Sequence, residues 1–312
     1  MTETKKPLNL IATLLDLSLP FPQKYLHIFS DITPADLEEI QKIWPQVPVI
    51  RKISLLHDLE AMMEVDSLLA CDDFARFALK DEDPTVRSRA IGILWDCEDT
   101  RLAREFGQML QHDPSEVVRA AAAAALGKFV LMGELEEIST SAFERTYTQL
   151  MECYRNEVHD EVSQEILRSL AYCSKKDVVA LIQQAFNSGK KGWKTAALEG
   201  MGRLADARWK EPILATFSDE DDEIQFEAIR AAGELELKAA RKPLLVMLAE
   251  ETYNNDLRFQ IIWALSKIGG ELVRDALHDL LEHSDDEDEI DVLELALENL
   301  DLTDENPTLD II

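Results

Sequence analysis

Long apolar runs are missing from this 312-residue chain. No stretch approaches the roughly 20 residues that a helix needs to cross a bilayer, so a membrane protein is not expected. Cysteine is sparse and scattered. Cys71, Cys97, Cys153 and Cys173 form no CxxC pair, which removes a disulfide framework and a zinc ribbon and leaves them reading as reduced core thiols. Glycine and proline number only 11 each and do not cluster at strand-like spacing, so a β-rich fold has no signature here. Positive charge is also in short supply. Against 61 Asp and Glu stand 32 Lys and Arg, a formal net charge of −29, and no long basic cluster relieves it. Phosphate backbones are repelled by such a field, so DNA and RNA are excluded as partners.

What remains is hydrophobic enough, at 46%, to build a core, and it is written in Ala, Leu, Glu, Asp and Ile, the vocabulary of helices. The N-terminal LNLIATLLDLSLP follows two lysines, but Asn9 and Asp16 interrupt it and no A-x-A site follows. It reads as an amphipathic helix of a cytoplasmic protein and not as a signal peptide. The acidity serves solubility or draws a basic protein partner, and composition does not separate the two.

One stretch supplies a template. DPSEVVRAAAAAALG (113 to 127) is an acidic turn with proline, then a helix carrying Val-Arg, a small residue four places after the Val, and Leu-Gly eight and nine places after it. The same pattern recurs on Val86, Val118, Val162, Trp193, Ile224 and Leu257, and more weakly on Val292, with a degenerate start at Ile50. Subtracting successive anchors from Val86 onward gives 32, 44, 31, 31, 33 and 35 residues. The excess in the second interval predicts one insertion near 133–146. A fixed period of this length signals stacked supersecondary units.

The unit is helical. Offsets 0, +4, +5 and +8 fall on one face at 100° per residue, giving Val86, Ala90, Ile91 and Leu94 in one copy and Ile224, Ala228, Ile229 and Ala232 in another. Asp83-Pro84 and Asp113-Pro114 place a capping carboxylate before a proline at the first helical position. Gly127, Gly202 and Gly233 at offset +9 suit a helix end or a close backbone approach. Second apolar segments such as RLAREFGQML and DVVALIQQAF lie between these helices, so each unit is a helical hairpin. Pro212 and Pro243, 31 apart, mark equivalent kinks or helix starts.

With its D-P-x-V-R-x-x-A-x-x-A-L-G signature, most specific at Val86 and Val118, residues 47 to 301 resemble the short HEAT-like repeats also found in phycobilin lyases. The order of units, including AIGILWDCEDTRL and IIWALSKIGG, resembles an uncharacterised bacterial HEAT-repeat family. The resemblance implies an all-α fold, a right-handed α-α superhelix or α-solenoid of about seven to eight repeats of 31–36 residues, with its function on the curved surface. Residues 1–46 form a helical N-terminal cap on this reading, and 302–312 a flexible acidic tail. The T-P-L-H of ankyrin units and the tetratricopeptide pattern are both missing.

Catalytic constellations are not found. The six histidines show no HExxH or HxH spacing, and no phosphate-binding Gly-rich loop or G-x-S-x-G occurs. Four histidines precede Asp, at 57, 112, 159 and 278. The deoxyhypusine hydroxylases, HEAT-repeat iron enzymes, use His-Glu pairs instead, and His112-Asp113 and His159-Asp160 sit where an Asp caps a helix. The acidic runs 218–223 and 284–289 lack the glycine-centred calcium loop. No metal and no cofactor is expected.

Two rows of side chains stand out. Arg87, Arg119 and Arg258 share offset +1 and are preceded by Asp83, Asp113 and Asp256. They form either an anion-binding row or, as the resemblance implies, an Asp/Arg ladder between repeats. Opposite the core, offsets +2, +3 and +6 should line the concave face, where Arg89 and Arg168 give way to Phe226, Arg230, Phe259 and Trp263. Aromatics and arginine dominate binding hot spots, so these six form a candidate stripe for a protein partner, unless the rings pack between repeats. The expectation is a non-catalytic protein-interaction scaffold, with a bilin lyase-like or iron hydroxylase-like HEAT enzyme as the alternative.

Overall fold

The computed structural model describes residues 6–30, 32–66, 68–97, 99–204, 206–250, 253–270 and 272–305. The regular elements among them are all helical. The chain divides into two compact units, Met1–Ser169 and Leu170–Ile312.

The first unit opens with α1 (Lys6–Leu15), α2 (His27–Ser30) and α3 (Pro34–Ile43), followed by α4 (Val49–Val65). Hairpins follow: α5 (Asp72–Ala78) with α6 (Pro84–Ile93), α7 (Arg101–His112) with α8 (Glu116–Glu134), and α9 (Thr140–Asn156) with α10 (Asp160–Leu170). In the second unit α11 (Lys176–Phe186) pairs with α12 (Lys191–Arg203), and α13 (Lys210–Ala215) with α14 (Asp222–Glu234). Next come α15 (Arg241–Leu248) with α16 (Asn255–Ile268), and α17 (Val273–His283) with α18 (Glu287–Glu305). Within each unit the second helix of one hairpin packs on the second helix of the next, so each is an α-solenoid of stacked hairpins.

The seven anchors fall one per inner helix, and the buried face is the expected one. Val86, Ala90, Ile91 and Leu94 are buried, as are Val118, Ala122, Ala123 and Leu126, and Leu257, Ile261, Ile262 and Leu265. Three anchors depart from the pattern. Ile50 is 69% exposed because the register of α4 runs one residue later: Arg51 takes the anchor place and Leu55, Leu56 and Leu59 the core places. Its guanidinium donates to the carbonyl oxygens of Asp16 and Leu19, fastening the N-terminal helices. Trp193 is half-buried, and on α18 Val292 is half-buried beside buried Leu293 while Ala296, Leu297 and Leu300 keep the expected core places.

Side-chain caps mark the starts of α3, α6, α9, α14 and α16. Asp83 accepts from the N–H groups of Thr85 and Val86, and Asp221 from those of Glu223 and Ile224. Asp113 does not repeat this role. α8 begins two residues beyond Pro114, at Glu116, and the Asp113 carboxylate accepts the Ser115 N–H instead. Pro212 and Pro243 both lie in the first turn of their helices, so they mark starts and not kinks.

The expected insertion is not a loop. Its residues extend α8 to 19 residues and α9 to 17, and Gly133 gives the Phe143 ring the room that a Cβ would occupy. Gly202 and Gly233 are close-approach positions. A Cβ on Gly233 would meet the Ala264 Cα at 2.9 Å, and one on Gly202 the Ala231 Cα at 3.1 Å. α18 continues through 305, beyond the expected solenoid end at 301, and residues 306–312 of the expected tail lie outside the described residues. No helix among the described residues is long and apolar enough to cross a membrane.

Candidate functional site

The ladder is built from arginine and the acid of the following repeat. Arg87 donates from Nε and Nη2 to the two carboxylate oxygens of Asp113 at 2.9 and 2.8 Å, and from Nη1 to the carbonyls of Asp81 and Glu82. Arg119 grips Glu157 in the same way at 2.8 and 3.1 Å, while Arg258 reaches Glu289 at 2.5 Å and the Leu248 carbonyl. Lys194 with Asp219 and buried Lys52 with Asp81 fill further rungs. Asp83 and Asp256, the acids expected before Arg87 and Arg258, are placed elsewhere. Asp83 points back as the cap of α6, and Asp256 is exposed in the first turn of α16. The reason is geometric. An arginine side chain rising from an inner helix spans to the next turn, whereas the acid just before it lies on the wrong side of its own helix start. With their cations saturated by carboxylates and carbonyls, these residues act as inter-repeat fasteners.

The residues predicted for the opposite face are placed there. None of Arg89, Arg168, Phe226, Arg230, Phe259 and Trp263 is buried. The structure brings only three of the six together, since the arginines are engaged with glutamates. Arg89 pairs with Glu60 of α4 at 2.9 Å, and burial pushes the Glu60 carboxyl up. Arg168 pairs with Glu165 at 3.3 Å. Arg230 contacts Glu227 at 2.6 Å and Glu199 at 3.3 Å. Burial would lower the Arg230 pKa, but the two carboxylates outweigh it and raise it above the usual value.

The three aromatics converge on a cleft of about 630 Å³ between α14, α16 and α18. Phe226 stands in the second turn of α14, Phe259 and Gln260 in the second turn of α16, and Trp263 in its third. α18 closes the far side with Val292 and with Leu295, which stands at the outward offset +3 from Val292 but was not singled out among the stripe residues. The core face of this helix is Leu293, Ala296, Leu297 and Leu300. Trp263 is 37% exposed and Leu295 57%. The Lys267 ammonium lies 5.9 Å from the indole centroid and pairs with Glu234 at 2.8 Å. Asn299 donates to Ser266 Oγ at 3.1 Å, tying α18 to α16 beneath the cleft.

One end of the cleft is acidic. Asp222 and Glu223 open α14 and Asp256 opens α16. Asn254 caps α16 by accepting the Leu257 N–H at 2.9 Å and donates to Asp222 Oδ2 at 3.1 Å. Glu223 shares Lys191 with Asp221, each at 2.9 Å. Among the described residues no group of three or more His, Cys, Asp or Glu is placed to hold a metal ion.

A family model described as HEAT repeats matches residues 73–171 and 210–298, more than half of the chain. No curated protein matches. Among solved structures, YibA of E. coli is similar over 89% of this chain and 96% of its own, at 14% identity and a TM-score of 0.47. Human deoxyhypusine hydroxylase in complex with glycerol is similar over 88% and 99%, at 16% identity and a TM-score of 0.38. Kap121p bound to Nup53p is similar over 91% of this chain and 36% of its own, at 12% identity and a TM-score of 0.47.

Proposed function

The chain belongs to the HEAT-repeat family, and on that premise we propose that it is a non-catalytic scaffold that holds a protein partner against the α14–α16–α18 face. The observation that carries this reading is the cleft in which Phe226, Phe259 and Trp263 meet Leu295, with large apolar side chains left open to solvent. Rings of this kind, held by rigid helices and backed by a packed core, are what alanine scanning finds at interface hot spots. Among the described residues the lining contains no histidine, serine, cysteine or lysine, and its carboxylates, Asp222, Glu223 and Asp256, stand at the helix starts at one end. Arg230, engaged by Glu227 and Glu199 of the same unit, would flank a bound partner and orient it; the rings would supply the affinity. A reducing cytoplasm would suit the four free cysteines.

Affinity capture from the native cell, with the wild-type chain and with Phe259→Ala/Trp263→Ala side by side, tests the reading. It requires at least one protein recovered by the wild type and lost from a variant of unchanged helicity. Identical recovery by both chains would sink it.

A further inference from the structure

The cleft is polarised along its helix axes, and the polarity specifies its occupant. This step rests on the reading of that face as a protein-docking surface. In the first turns of α14 and α16 stand Asp222 and Asp256, both exposed, and among the described residues no cation pairs with either. Arg230 nearby is matched to glutamates, and Lys191 is shared between Asp221 and Glu223. The open end of the cleft therefore presents the carboxylates of Asp222 and Asp256 with no counter-ion among the described residues, on a chain whose net charge is −29. From Asp256 to Trp263 the helix rises about 10 Å, and over that distance the surface changes from carboxylate to Phe259 and then to the exposed indole.

We infer that the occupant is a short cationic, amphipathic segment of a partner protein. It sets two or three apolar side chains over Phe226, Phe259, Trp263 and Leu295, and a lysine or arginine over Asp222 and Asp256. The separation of about 10 Å corresponds to seven residues of helix or three of extended chain. The volume suits a few side chains and not a broad domain surface. A nucleic acid or an acidic peptide would place its charge against the same uncompensated carboxylates, so both are excluded from the site.

A random linear peptide library displayed on phage, selected on the full-length chain and counter-selected on Trp263→Ala, provides the test. Recovered peptides are then titrated by fluorescence polarisation against wild type, Asp222→Asn/Asp256→Asn and Phe259→Ala. Enriched sequences should carry Lys or Arg three or seven positions from an apolar pair. Their Kd should rise at least about tenfold in the Asn variant at low salt, with the difference shrinking as salt screens it. Phe259→Ala should weaken them at any salt. Enrichment without a cationic bias, or affinity unaltered by Asp222→Asn/Asp256→Asn, overturns the inference. So does failure to recover any peptide while a captured protein still requires Phe259 and Trp263; the docking face then stands and its short cationic occupant does not. Binding of an apolar dye equally to wild type and the Asn variant, with no peptide bound, also overturns it. Both Asn substitutions lie at exposed positions and keep the acceptor used by Asn254, so the variant retains its fold.

Discussion

Arg87 and Asp113 stand in successive hairpins and are joined by two parallel hydrogen bonds, 2.9 and 2.8 Å long, with only 12% and 9% of their side chains exposed. Arg119 and Glu157 repeat the arrangement one hairpin later, at 13% and 9%. Such a bond cannot form if the hairpins slip by a residue, so each rung fixes the stacking register. In the second unit Arg258 and Glu289 make the corresponding rung between α16 and α18, the helices that bring Phe259 and Leu295 to one cleft.

Breaking one rung from one side should therefore cost more than removing it whole. Arg87→Ala leaves Asp113 buried beside carbonyls and should destabilise the chain by about 3 kcal/mol. Arg87→Met with Asp113→Leu should come close to neutral in stability. Urea unfolding followed by helicity decides between them, and equal losses in the two variants would show that the rung acts through its net energy.

Gly233→Ala should destabilise although alanine is the better helix former by about 1 kcal/mol. The added Cβ would stand 2.9 Å from the Ala264 Cα on the neighbouring inner helix, a backbone atom that cannot turn aside. An overpacking penalty of about 1–3 kcal/mol should appear as a lower Tm. A Tm raised by the substitution would mean that α14 and α16 separate freely.

Acid should unfold the chain through the carboxylates that are held ionised. Asp99 is brought down to about 2, first by the Arg101 side chain and then by its backbone N–H. Its folded-state value lies below the usual 3.8, so its contribution is complete above about pH 4 and is lost as pH falls toward 2. Glu157 behaves alike: burial would raise it, but hydrogen bonds from Arg119, His159 N–H and Val158 N–H bring it down. Glu60, raised by burial, has the opposite sign and gains stability on protonation. Asp99→Asn should lower the plateau above pH 4, flatten the fall between pH 4 and 2, and leave the stability near pH 2 little changed, as measured by Tm against pH.

The thiols should be slow to react. Burial pushes Cys71 up to about 11, and raises Cys97 and Cys153 in the same direction. Under native conditions at pH 7.5, a disulfide reagent should label none of the three at the rate of free cysteine, and all four cysteines should react promptly in denaturant. Rapid native labelling of Cys71 would contradict the burial of α5 against its neighbours.

The repeat itself was legible because a buried helix face leaves a periodic trace. The residues at 0, +4, +5 and +8 are apolar wherever helices stack, and a period near 32 follows from one hairpin per unit. What was less legible depended on single residues of register. Arg51 occupies a core place at α4 because its charge is spent on the carbonyls of Asp16 and Leu19, a long-range contact that no local pattern shows. On α18 Leu293 shares the core with Ala296, Leu297 and Leu300, so Val292 is left half-buried at the edge of the cleft beside Leu295. The ladder arginines and Asp113 were recognised but Glu157 and Glu289 were not, since Asp113 and Asp256 are nearer to Arg119 and Arg258 in sequence whereas the two glutamates take their guanidinium groups in space. The rings of the stripe were found because all three share offsets with residues already known to oppose the core.

The most direct test of the central claim is the equilibrium affinity of the full-length chain for its captured partner, compared with that of Phe259→Ala/Trp263→Ala by calorimetric titration. Hot-spot truncations cost about 2 kcal/mol or more each, so the Kd should rise by at least about thirtyfold for one ring and further for two. A Kd within twofold of wild type, in a variant that keeps its helicity and Tm, would mean that the α14–α16–α18 face is not where the partner binds.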